Sequence, residues 1–289
     1  MVKSKDSVVN LNKPFLYIIK LFHYIGISAY SRTPSPNNWL KCWHLKWCYF
    51  NIVLFLAVHF VIIYFHRKLF FTADRFGTFN DFIKVLTVGI SHLVTLIETA
   101  FHQKSALEFF QTYTTLHQRW ADYRKTKNEL MIYKKCFLLT LIFIIVLCVV
   151  DLNYTFEVRH RAQWVLFFIA YEPSVWICRF RFIQISMYLT MITMELAQLN
   201  REILTLAKDT QRMKKNYDEN LICQKLHQFM RNYQQIFSMV ELFKKGFSVS
   251  CLVVFVASYV KILSDCYWTY WVIYNQDGLL SKIRFLNLI

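Results

Sequence analysis

The stretch "RFRFIQISMYLTMITMELAQLNREI", residues 179–203, sets two arginines ahead of thirteen uncharged residues and then a polar, helix-forming run. It reads either as a membrane span that carries charge within it or as an unusually apolar soluble helix, and the surrounding chain decides between them. Over 289 residues the sequence is 56% hydrophobic and 18% aromatic, with a mean hydropathy of +0.29. Only 18% is charged, against roughly 25% in soluble domains. Four prolines and five glycines are few for an architecture of strands and turns. The composition points to an all-α, polytopic membrane helical bundle.

A crossing needs about 20 mostly apolar residues. Residues 47–65, "WCYFNIVLFLAVHFVIIYF", and 136–150, "CFLLTLIFIIVLCVV", are nearly free of polar groups, whereas the second span, 82–101, contains Lys84, His92 and Glu98. From 164 to 194 the apolar run is interrupted only by Glu172, Pro173, Arg179 and Arg181. That is too short for two crossings and a turn, and ample for one tilted helix that continues beyond the bilayer. A fifth span starts at Gly246 and runs into "SDCYWTYWVIY", whose tyrosines and tryptophans suit a membrane interface. Residues 179–203 are therefore the inner part of a span and its extension into water.

Lysine and arginine number twenty-three in the alternate hydrophilic pieces 1–46, 102–135 and 195–245, and seven in 66–81, 153–163 and 275–289. The positive-inside rule then places the N-terminus in the cytoplasm. The expected organisation is a cytoplasmic N-terminal segment (1–46), spans one to four with their loops (47–194), a cytoplasmic helical loop (195–245), the fifth span (246–274) and a short tail (275–289). No cleavable signal peptide is read, and "PFLYIIKLFHYIGI" is expected to lie along the inner membrane face. The net charge of +16 follows from this topology and from attraction to anionic membrane lipid, so no nucleic acid partner is expected. Asn153, in an Asn-Tyr-Thr sequon on the outer side, is a candidate glycosylation site.

In the extension, Leu196, Leu199, Ile203 and Leu206 form one apolar stripe, and Ile222, Leu226, Phe229, Tyr233, Ile236 and Val240 form a second. The two stripes are expected to pack as a helical hairpin below the bilayer, competing with helices lying on the lipid surface. Charges at membrane depth line a wet cavity, pair with one another or snorkel. On that ground His92 and Glu98, with Arg179 and Arg181, are candidate ligand-pocket residues, and structural hydrogen bonding is the competing role. Lys84, near one end of its span, reads as a snorkelling group. Lys261 and Asp265, four apart, are expected to pair. The aromatics Tyr171, Trp176, Phe180 and Tyr188 are candidate pocket lining against an alternative of packing and lipid contact. Eight cysteines without a CxxC pair read as small buried hydrophobes, and nine histidines show no metal-binding spacing, so neither metal nor cofactor is expected.

"RFRFIQ", "MELAQLNREI", "NYQQIFSMVELFKKGFSVS" and the span ending in "YWTYW" resemble the fourth and fifth spans and intervening loop of insect gustatory receptors, and "YIIKLFHYIGISAYS" resembles the segment before their first span. The resemblance extends over nearly the whole chain. It implies a ligand-gated cation channel of four subunits, each with seven spans. A pocket for a small-molecule tastant would lie among the first several spans, and a shared cytoplasmic anchor would join homo- or hetero-oligomers with other gustatory receptor subunits in the plasma membrane of sensory neurons. The family's seventh span carries Thr-Tyr, five apolar residues and Gln-Phe. Here five spans are read and no sixth or seventh; "TYWVIYNQD", from Thr269, is read as the outer end of span five, and a pore formed by this chain alone is not expected. The alternative is a non-conducting scaffold or modulatory subunit that assembles with full-length receptors.

Phosphate-binding glycine loops, G-x-S-x-G elbows and paired catalytic carboxylates are absent from the sequence, so no enzyme is expected. The five spans show no inverted repeat of the kind transporters carry.

Overall fold

The computed structural model describes residues 21–22, 25–27, 38–65, 75–120, 138, 141–143, 145–150, 164–212 and 219–275. Five long helices carry the fold: α1 (Asn38–Phe65), α2 (Arg75–Phe101), α3 (Gln103–Trp120), α4 (Trp164–Arg212) and α5 (Glu219–Asn275). All regular structure among the described residues is helical. Segments of α2 (Phe79–Phe101), α4 (Tyr171–Gln211) and α5 (Glu219–Tyr267) are long and apolar enough to cross a bilayer, and Lys46–Val61 and Leu141–Val150 are shorter apolar helices.

The environment is written in which side chains face outward. On α2, Asp81, Lys84, Ser91, His92, Thr95 and Glu98 are buried, while Phe79, Phe82, Leu86, Ile90 and Phe101 are exposed. On α5, Ser250 and Ser264 are buried and Leu252, Phe255, Tyr259 and Ile262 are exposed. Burying polar groups while exposing large apolar ones is costly in water, and it is the arrangement a hydrocarbon solvent selects. Threonine hydroxyls are satisfied on their own helices: Thr87 donates to Ile83 O at 2.8 Å and Thr190 to Ser186 O at 2.7 Å.

Three helices make the central seam. α2 runs antiparallel to α5, as shown by Asn80 Nδ2 to Ser264 Oγ (3.0 Å), Ser91 Oγ to Val253 O (2.8 Å) and Ser250 N to Glu98 Oε2 (3.1 Å). α4 runs parallel to α2, with His92 beside Ser174 and Glu98 beside Arg181. One apolar cluster on this seam joins Val88, Tyr171, Val175, Cys178, Val254 and Ala257. A second, larger cluster joins α3, α4 and α5 through Phe109, Phe110, Tyr188, Met191, Leu199, Ile236, Met239 and Phe247.

Several expectations change. Residues 103–120, inside the hydrophilic piece 102–135, form α3, reached from α2 through a single turn residue, His102, whose N–H donates to Glu98 O at 2.9 Å. α4 runs on past residue 194 as one helix, as its sequence predicts, and α5 is likewise continuous through Gly246 from polar to apolar sequence. In the stretch expected to lie on the membrane face, Phe22 and Ile27 are instead buried against Ile177, Phe180 and Ile183. Gly26 makes that turn possible: its φ is +86°, and a Cβ there would approach Asn51 Nδ2 to 2.6 Å. Cys48 and Cys178 are buried as expected of small hydrophobes, but Cys223, Cys251 and Cys266 are exposed. Asn153 lies outside the described residues.

Candidate ligand site and a buried ion-pair knot

Arg181 stands in the first half of α4, 2% exposed. A guanidinium has five N–H donors, and four bonds engage it here: Nε to Ser250 Oγ (2.9 Å), Nη1 to Gln184 Oε1 (2.8 Å), and Nη2 to both Glu98 Oε2 (2.8 Å) and Gly246 O (3.0 Å). The Phe247 ring covers its face at 4.2 Å. Glu98 in turn accepts from Val249 N (3.2 Å) and Ser250 N (3.1 Å) as well as from Arg181. Gln184 Nε2 and Thr99 Oγ1 both donate to Ile27 O, at 3.1 and 3.3 Å. The knot therefore joins α2, α4, α5 and the Gly26 turn, and its charges are both paired and hydrogen-bonded, the condition under which burying them is tolerable.

Toward the opposite end of the same seam lies a second polar group. His92 Nδ1 is 3.0 Å from Ser174 Oγ, and its ring meets Phe55 edge-on at 4.4 Å. His59, beside Phe55 at 3.9 Å, donates from Nδ1 to Phe55 O at 3.0 Å, which leaves Nε2 as an acceptor with no partner among the described residues. Gly89 faces α1 here, and a Cβ at that position would make ordinary contact with His59 Nε2 and Phe55 at 3.9 Å. Tyr171 is buried and Trp176 half-buried in the neighbouring cluster. Beyond them Lys84 binds Asp265 at 2.6 Å and lies 5.4 Å from the Tyr171 ring, and Lys261 binds the other Asp265 oxygen at 2.8 Å.

The six candidate pocket residues thus divide. His92, Tyr171 and Trp176 share one end of the seam, and Glu98 with Arg181 forms the knot; Arg179 is half-buried on α4, two residues before Arg181. His92 bonds to Ser174, whereas Glu98 bonds to Arg181 and the α5 backbone. Lys84 is buried in an ion pair, not extended toward headgroups, and the expected pair of Lys261 with Asp265 is present but shared. Tyr188 has the packing role of the two read for it, between Phe109, Phe110 and Phe247 at 4.5, 5.2 and 4.6 Å.

Among the hairpin residues, Leu199 and Leu206 are buried, and Ile222 and Phe229 are half-buried facing them; Leu196, Ile203, Leu226 and Tyr233 are exposed. Between the two helices an apolar groove of about 530 Å³ is lined by Ile203, Leu206, Ile222, Leu226 and Phe229. Sequence reasoning missed Ser250, Gln184, the Gly246 carbonyl and the whole of α3. For α3 a signal existed, since Phe109, Tyr113 and Leu116 recur at four and three residues.

The chain matches the family model of the 7tm chemosensory receptors across residues 15–289. No curated protein and no solved structure matches it significantly. With three helices among the described residues long and apolar enough to cross a bilayer, the match describes a multi-pass membrane protein.

Proposed function

The chain belongs to the 7tm chemosensory receptor family, and from that premise we propose that it is a gustatory subunit of a ligand-gated cation channel in the plasma membrane of sensory neurons. The family match over residues 15–289 carries this reading. In this reading the tastant meets the polar end of the seam, where His92 and Ser174, the Phe55 ring, Tyr171 and Trp176 gather and where His59 Nε2, without a partner among the described residues, can accept from an O–H or N–H donor. The ligand is then a small, largely apolar molecule carrying a hydroxyl or amine group. Its binding would favour one packing of α2 and α4 against α5 to the extent that its affinities for the two packings differ. The N-terminus is cytoplasmic, and Asn153 is glycosylated on the outer side.

A second reading is a modulatory subunit that assembles with other gustatory receptor subunits without conducting. It is favoured by Leu196, Ile203, Leu226 and Tyr233, apolar residues left exposed where α4 and the start of α5 extend beyond the expected bilayer.

Expression in cultured cells, alone and with other gustatory subunits, separates the two. Tastant-evoked current abolished by His59→Phe and His92→Phe, with surface expression retained, supports the receptor reading. Silence in every combination, together with co-purification that survives both histidine changes and is lost with Ile203→Asp and Leu226→Asp, replaces it with the modulatory one.

A further inference from the structure

α5 is one helix by its backbone, yet the knot treats it as two. In a regular helix the Ser250 N–H donates to Gly246 C=O, and the Val249 N–H to Lys245 C=O. Here both groups of the first rung are engaged from outside: Gly246 O accepts from Arg181 Nη2 at 3.0 Å, and Ser250 N donates to Glu98 Oε2 at 3.1 Å. Val249 N donates to the other Glu98 oxygen at 3.2 Å. A carboxylate on successive N–H groups is what caps a helix N-terminus, and a guanidinium on a carbonyl is what caps a C-terminus; each charge has the sign the helix dipole favours at that end.

Gly246 fits the same reading. Glycine inside a helix is unfavourable relative to alanine, and close packing does not require it, because a Cβ at Gly246 would meet nothing within 4 Å. What its absent side chain provides is backbone freedom. The helix also changes company at this point. Ile236, Met239 and Phe247 belong to the cluster with α3 and the far part of α4, whereas Val254 and Ala257 belong to the cluster with α2 and the start of α4. Two differently anchored halves meet just beyond a glycine, across residues whose backbone groups also take bonds from side chains.

We propose that residues 246–250 are a hinge in α5 and that the Glu98–Arg181 pair is its latch. In the latched arrangement the pair holds the rung groups of both halves. In the other, α5 bends at Gly246 and the pair keeps its own contact along with Gln184, so no charge is left bare. This inference requires neither a ligand nor a current, and it stands or falls apart from the receptor reading.

The test uses the full chain in lipid nanodiscs with ketone-coupled nitroxides at Met230 and Ile262, exposed positions on the two halves. In a straight helix their backbones lie about 48 Å apart. The unsubstituted chain gives a main distance near that value. Glu98→Gln releases the latch and enlarges a shorter-distance population several-fold, and adding Gly246→Ala to it brings that population back down. A distribution unmoved by Glu98→Gln, or a double variant as broad as the single, overturns the proposal. Should Glu98→Gln fail to assemble, Gly246→Ala decides alone, since its Cβ has open space. Slower amide exchange at residues 247–251 by about fivefold supports the hinge, and unchanged exchange there overturns it.

Discussion

Two ion-pair groups tie α2 to the other seam helices, and they are built in different ways. At the knot, the Arg181 and Glu98 side chains are 2% and 5% exposed, and each charge also holds backbone groups of α5. At the other end, Asp265 is 34% exposed and shares its two oxygens between Lys84 and Lys261. The knot is a closed set in which every member depends on the others; the shared carboxylate has a spare cation and contact with its surroundings. Burial and redundancy, not the number of charges, should decide what each group contributes.

Removing one partner of the knot gives the largest expected effect. Arg181→Met leaves Glu98 buried without its cation and should destabilise the bundle by about 3–5 kcal/mol, read from unfolding in a mixed-micelle titration. Arg181→Met combined with Glu98→Leu should cost clearly less than the two single changes added together, because neither charge is then stranded. Strict additivity would show that the pair is not a unit. Asp265→Asn comes next, at about 1–2 kcal/mol, since it leaves two lysines facing each other with a partly exposed site to relieve them. If it matched Arg181→Met, exposure would not be the variable that separates the two groups.

How much of this could be read in the sequence follows from what each feature depends on. The long fourth helix was readable because the uncharged run after Arg181 passes directly into strong helix formers, with no helix-breaking residue between Pro173 and Arg212. Glu98 and Arg181 were both recognisable as polar groups at membrane depth, but their pairing was not, because it depends on the register of three helices set far apart in the chain. The knot's other members were invisible for a similar reason: a serine, a glutamine and a glycine carbonyl acquire their roles only from what faces them. α3 was hidden by composition, its stripe of Phe109, Tyr113 and Leu116 lying in a segment with the charge of a loop. On the far part of α4, Leu199 and Leu206, seven apart, face the core, and Leu196 and Ile203 flank it.

The smallest expected effect sharpens the comparison most. Lys261→Met removes one of two cations from Asp265, but Lys84, which is the more buried and the closer at 2.6 Å, remains. The loss should be no more than about 0.5 kcal/mol, and the apolar methionine stem replaces the aliphatic part of the lysine at a position beside exposed Ile262. Raising the salt concentration from about 0.15 M to 1 M shortens the screening length from about 8 Å to 3 Å, so it should shrink the difference between Lys261→Met and the unsubstituted chain toward zero. The same change of salt should leave the effect of Arg181→Met unaltered, because counterions do not reach a guanidinium enclosed by three helices. A Lys261→Met effect that persists in high salt would mean that this end of the seam is as enclosed as the knot, and the distinction between the two groups would have to rest on redundancy alone.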